Sequence, residues 1–216
     1  MKLQTACAAA FVFLGALLSA TTIVPVSVER LTRESTHIVE AQASQSWSQW
    51  NAQHSLIFTY TRFQVARALK GQAPAAIVVK QPGGSAEGYT QKVAGVRHWR
   101  SGDQAVLFLR PSQESDGTLE VTGLMQGNFI VRKNATGETM VSNGVPDVSA
   151  YQASSNAVTQ YRGSGMRLDE LASATFSRSD SAAASLDARG VFTDCDPGVF
   201  FSSAAYFFPA RPLEPD

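Results

Sequence analysis

The chain has 216 residues with 18 basic and 18 acidic side chains, a formal charge of zero. That length predicts one domain with extensions. A balance without net sign supplies no overall field toward nucleic acid, anionic lipid or a polyanionic substrate, so nucleic acid is not an expected partner.

Lys2 followed by the apolar run Ala8–Leu18 and the small residues Ser19-Ala20 has the build of a secretory leader. Residues 1–20 are therefore expected to be a signal peptide cut after Ala20, leaving a secreted or periplasmic protein. The alternative is a retained anchor, but the apolar run falls short of the roughly 20 residues that span a bilayer, and no transmembrane helix is expected in the mature chain. Cys7 departs with the leader and Cys195 remains alone, so the fold must hold without an intrachain disulfide.

Residues 21–35 read as an N-terminal arm: Ile23–Val28 as a short edge strand or extended segment weakened by Pro25, and Glu29–Ser35 as a single helical turn. Strand alternation begins at His37–Ala43. Trp47 and Trp50, three apart in a polar stretch, suit a helical turn or a loop laying rings over a barrel end, with a carbohydrate- or peptide-binding platform as the functional alternative. Ile57–Lys70 is the longest strand. Phe63, Val65 and Leu69 share one parity and Arg62, Gln64 and Lys70 the other, while Phe58 and Tyr60 fall on the wet parity, which predicts a bulge or bend near Thr61. Gly71 closes the strand, free to take a positive φ, and Ala76–Gln81 continues the core.

Pro82–Gly102 lacks periodicity and is rich in glycine, the build of a functional loop, with Tyr89, His98 and Trp99 tying it down. Gln104–Leu109 is apolar on both faces and predicts the most buried strand. Leu119–Thr122, a bend at Gly123–Gly127, Asn128–Arg132, a turn at Asn134–Gly137 and Glu138–Val141 complete a run of short strands. Gly144–Ser164 reads as loop. Residues 168–176 form an amphipathic helix with Leu168, Leu171, Ala172 and Phe176 on one stripe, placed to plug a barrel opening or cover a sheet face. Residues 177–189 read as a flexible linker, and 190–216 as an aromatic-rich segment that packs back, docks a partner or touches a membrane surface. The expected fold is mainly β: a small closed or partly open OB-like barrel of 5–7 strands spanning 36–176, with one C-terminal amphipathic helix.

No catalytic or metal motif emerges. His37, His54 and His98 lie far apart, Gly83-Gly84-Ser85-Ala86-Glu87 lacks the closing glycine of a nucleophile elbow, and no lysine follows at the phosphate-loop spacing. Asp103, Glu114, Asp116 and Glu120 are acidic, but sequence gives no separation between them. No catalytic residue, metal or cofactor is assigned.

Several stretches nevertheless resemble an uncharacterised group of exported bacterial proteins: Phe58-Thr59-Tyr60-Thr61 leading to Leu69-Lys70-Gly71, Gln81-Pro82-Gly83-Gly84, Gly102-Asp103 before Val106-Leu107-Phe108-Leu109, and Gly123-Leu124-Met125-Gln126-Gly127-Asn128-Phe129. The resemblance covers residues 32–176. In layout the group is similar to the OB-like barrels of netrin and metalloprotease-inhibitor modules, and some relatives sit beside secreted matrixin-type metalloproteases, which implies an accessory or inhibitor role and a secreted protease as neighbour. This chain lacks the cysteine framework of those modules, including the N-terminal cysteine that engages the enzyme's zinc.

The leading expectation is a non-catalytic exported binding or accessory domain whose ligand is a protein or cell-envelope component. Its partner surface combines the 83–102 loop with Trp47 and Trp50, the candidate residues being Trp47, Trp50, Tyr89, His98, Trp99 and Asp103. An envelope hydrolase using loop carboxylates or histidines, and a structural envelope component docked through residues 190–216, are the alternatives.

Overall fold

The structure, a computed structural model, describes residues 22–114, 116–144, 148–176 and 211–212. The expected leader, the linker and Cys195 lie outside the described residues, as does nearly all of the 190–216 segment. The strands are β1 (Thr22–Ile23), β2 (His37–Trp50), β3 (Ile57–Lys70), β4 (Ala76–Pro82), β5 (Gly84–Ala86), β6 (Tyr89–Gln91), β7 (Gln104–Pro111), β8 (Leu119–Val121), β9 (Asn128–Lys133), β10 (Thr139–Ser142), β11 (Ser149–Gln152), β12 (Ala157–Gln160), β13 (Gly165–Arg167) and β14 (Arg211–Pro212). Helix α1 is Val28–Glu34 and helix α2 covers 168–176.

The fold is mainly β, and its centre is a closed barrel of five strands with three further strands outside the ring. The ring runs β7-β2-β3-β4-β8 and closes through β7–β8 pairing, while β9, β10 and β13 continue one sheet beyond it. Strand β7 makes both connections along a single edge: Leu109–Pro111 pair with β8, and Ala105–Leu107 pair with β9. The sheet therefore splits partway along β7. The bend at 122–127 carries the chain from one partner to the other, as Phe108 donates to the Gly127 carbonyl and accepts from the Thr122 amide through its own.

Each face of β7 feeds a separate core, which is why its sequence is apolar throughout. Ala105, Leu107 and Leu109 join Val39, Phe63, Ile77, Val79, Trp99 and Val121 inside the barrel. Val106 and Phe108 point the other way, into a second core with Leu31, Ile38, Leu69, Phe129, Val141 and Leu171. Both helices cover this outer sheet face. In α2 the buried stripe is Leu171, Ala172 and Thr175, and Phe176 is 44% exposed. Residue 175 lies seven places after Leu168, almost in line with it on a 3.6-residue helix, whereas Phe176 turns away from the stripe. Thr175 satisfies its hydroxyl by donating to the Ala172 carbonyl at 2.7 Å.

The N-terminal segment is built into the fold, with Val26 and Leu31 in this second core and Ile23 against a third cluster of Met125, Val148, Ala150 and Tyr161. Ser27 caps α1 by accepting from the Arg30 amide, Leu31 is fully buried, and β1 pairs in parallel with β11. At the C-terminal end of α1, the Lys70 ammonium donates to the carbonyls of Thr32 and Ser35, placing a cation where the helix dipole favours one. Gly71 then turns with φ +70°, where a side chain would meet the Thr36 carbonyl.

Several expected elements are corrected. Strand β2 runs to Trp50, so Trp47 and Trp50 stand on a strand rather than in a helical turn or loop: Trp47 pairs with Tyr60 and Trp50 with Ile57. The β2–β3 register is unbroken from Ile57 to Arg62, and the bulge expected near Thr61 falls on the partner strand, at Ser44 opposite Arg62 and Phe63, where it leaves the parity of β3 unchanged. Bulges fall at Ser44 on β2 and at Ala66 and Leu69 on β3, and the Ala66 bulge turns Leu69 out of the barrel into the second core. Residues 84–91 form a hairpin turned by Glu87-Gly88, both with positive φ, and the stretch read as loop contains the β11–β12 hairpin.

Candidate functional site

The loop 92–103 returns to the barrel just before β7, and its inner side is fixed by Trp99. That indole is 3% exposed, packs edge-on against Phe63 at 4.9 Å between centroids, and donates to Asn128 Oδ1 at 3.2 Å. Trp99 thus occupies the barrel interior and anchors the loop, and its ring is not a surface platform. Its neighbours are thrown outward, so residues 97–104 face β9 across a cleft of about 490 Å³ lined by Arg97, His98, Trp99, Arg100, Gly102, Asp103, Gln104, Ile130, Val131 and Arg132. The cleft exists because β9 overruns the start of β7: Ala105 is the last β7 residue paired with it, opposite Ile130, and Arg132 continues beyond.

Three arginines and one aspartate are among the residues lining this cleft. Among the described residues none of the three arginines makes an ion pair. Arg97 is partly buried and donates to the Gly144 carbonyl at 3.0 Å. Burial first, and then the like charge of Arg132, press its pKa down, with Asp103 opposing. A guanidinium stays charged regardless, so the direction reflects first the cost of holding that charge partly out of water and second the like charge of Arg132. Asp103 accepts the Arg100 backbone amide at 2.7 Å, closing the turn into β7.

His98 donates from Nε2 to the Pro82 carbonyl at 3.2 Å, the tautomer being set because a carbonyl can only accept. Burial pushes its pKa down against the pull of that bond, which favours the neutral ring. No hydrogen bond joins His98 to Asp103 among the described residues.

The expected candidates fall into two groups. His98, Trp99 and Asp103 share the cleft. Trp50 and Tyr89 meet elsewhere: the Trp50 ring stacks on His54 at 5.2 Å and meets Tyr89 edge-on at 5.8 Å. Trp47 stacks on Tyr60 at 5.7 Å on the outside of the barrel. Sequence reasoning missed Arg97, Arg100 and Arg132. The pattern Arg-His-Trp-Arg at 97–100 was a usable signal for two of them, but only the β7–β9 pairing brings Arg132 to the same place.

The remaining ionisable candidates are engaged outside the cleft. Glu114 and Asp116 flank Lys80 on the barrel exterior, at 2.5 and 3.7 Å, and the Lys80 ammonium lies 4.3 Å from the Phe58 ring centre. Burial pulls the Lys80 pKa down, but the Glu114 hydrogen bond together with the charges of Tyr60, Glu114 and Asp116 carries it above the ordinary lysine value. Glu120 accepts from Ser112 and lies 3.7 Å from Arg110. Among the described residues no three metal-ligating side chains cluster, and no helix is long and apolar enough to cross a membrane. Ser85 shares a hydrogen bond with Thr90 in the β5–β6 hairpin. No family model and no curated protein matches this chain.

Proposed function

We propose that this chain is an exported, non-catalytic binding domain that docks an anionic group of a partner protein, an acidic side chain or terminal carboxylate, in the cleft between the 97–103 loop and β9. One observation carries the reading: Arg97, Arg100 and Arg132 line one cleft against a single acidic residue, Asp103, in a chain whose net charge is zero, and among the described residues none of the three makes an ion pair. A planar fork of donors suits a carboxylate or phosphate. The volume falls in the range of roughly 300–1,000 Å³ typical of ligand sites.

The hydrolase alternative draws support from the convergence of ionisable groups in the same cleft. Two features favour binding over chemistry. His98 spends its N–H on a backbone carbonyl and makes no hydrogen bond to Asp103, and among the described residues no hydroxyl or thiol side chain lines the cleft.

Calorimetry with an acidic peptide and its amidated, Gln/Asn-substituted counterpart tests the proposal. The acidic peptide is expected to bind, more weakly as salt rises, and Arg97→Gln with Arg132→Gln is expected to weaken binding roughly tenfold or more, each charge-assisted hydrogen bond contributing about 1.5–3 kcal/mol. Equal affinity of wild type and double variant would overturn it.

A further inference from the structure

The second group of candidates lies beside the edge of the β5–β6 hairpin. There β6 pairs on one side with β5 and on the other with β14, in the register Arg211 opposite Thr90 and Pro212 opposite Tyr89. Tyr89 is 43% exposed and meets Trp50 edge-on, and Trp50 also stacks on the ring of His54. The Trp50 Nε1 is buried without a hydrogen-bond partner. A strand edge next to clustered aromatic rings suits an extended, proline-containing segment. The edge supplies backbone pairing, and the rings supply flat apolar surface at little entropic cost.

The sequence around β14 has that character: Pro209, Pro212 and Pro215 recur every third residue, the period of the polyproline II helix. Pro also belongs on sheet edges, where its missing N–H is tolerated. We propose that the β6 edge with Tyr89, Trp50 and His54 forms a docking site for a proline-rich extended segment, and that its occupant is this chain's own C-terminal segment around Arg211–Pro212. The site is separate from the arginine cleft and does not depend on the function proposed for it. It gives Trp50 and Tyr89 a ligand class and the end of the chain a destination.

The test uses the full chain in two forms, wild type and a variant carrying Pro209→Ala, Pro212→Ala and Pro215→Ala, followed by NMR at the Trp50 indole N–H and the Tyr89–Gln91 amides. These resonances are expected to move in the variant. A synthetic peptide of residues 209–216 is then expected to bind the variant and not the wild type, whose own segment occupies the site. Adding Tyr89→Ala to the variant is expected to weaken the peptide roughly tenfold through the lost aromatic contact. A variant spectrum unchanged at these positions, or a peptide that binds neither form, overturns the proposal. So does concentration-dependent dimerisation of the wild type that disappears in the variant, because the segment would then occupy a second copy.

Discussion

Toward its Gly71 end, β3 sends Phe63 into the barrel and holds Arg62 and Gln64 in solvent. Toward the β2–β3 turn the same strand buries Thr59 and Thr61 inside and keeps Phe58 and Tyr60 on the outside. The first half is the ordinary amphipathic strand. In the second half the polar side chains are inward and the aromatic ones outward, and each inward hydroxyl has a definite proton path. Thr59 donates to the Gly83 carbonyl and accepts from Ser48, while Thr61 donates to Ser46, which donates to the Trp99 carbonyl. Gly84, at φ +136°, crosses directly over Ser48 and Thr59, where a side chain would collide with both hydroxyls. Outside, Trp47 and Lys80 cover Tyr60 and Phe58. Polarity inverts along one strand because at this end the interior is lidded by backbone, whose carbonyls and amides need partners, rather than by side chains.

The largest effect that separates the two ends is expected from Phe63→Ala. Truncating this fully buried ring against Trp99 should cost about 3–5 kcal/mol in urea unfolding, whereas a loss under about 1 kcal/mol would mean that the apolar end is not the core. Thr61→Val, which keeps the volume and deletes one hydroxyl of the relay, should cost about 1 kcal/mol. A stability equal to wild type would show that the relay contributes nothing.

His98 gives a pH test of the lid. Its neutral form is favoured by the fold, so the unfolded chain binds more protons once pH falls below about 6.5. Stability should therefore be fully present above that value and decline as pH drops toward the lower folded pKa. His98→Gln should remove this component, so that the difference between the two stability-versus-pH curves has a slope only in that window. A difference that is flat through it would mean that His98 is not held neutral. The smallest effect is expected from Gln81→Leu. Gln81 is buried at the polar end with neither amide atom hydrogen-bonded, so replacing it should leave stability unchanged or slightly higher. Destabilisation beyond about 1 kcal/mol would show that the amide has a partner in solution, such as a bound water.

This contrast also explains what was legible in the sequence. Strand β7 and the Asn134–Gly137 turn were readable because the first is apolar on both faces and the second has Asn134 accepting from the Thr136 and Glu138 amides, both local signals. The polarity mismatch at Phe58 and Tyr60 was also visible, but it was assigned to a bend because alternation alone cannot tell a flipped strand from an inverted interior. The hairpin at 84–91 was missed because Glu-Gly is a weak turn signal beside Asn-Gly. Trp99 reads as one of the residues tying the loop down, but nothing local reveals that its ring enters the barrel interior against Phe63. The arginine cleft could not be read for the same reason, as Arg97 and Arg132 meet only through non-local pairing.

The functional claim rests on that cleft, and the most direct test is to map amide shifts across the whole chain while titrating an acidic peptide. The account predicts perturbations concentrated at 97–104 and 130–132, fading as salt is raised, with the Tyr89–Gln91 amides unmoved. Shifts confined to β6 and the Trp50 indole, or no shifts at low salt, would contradict it.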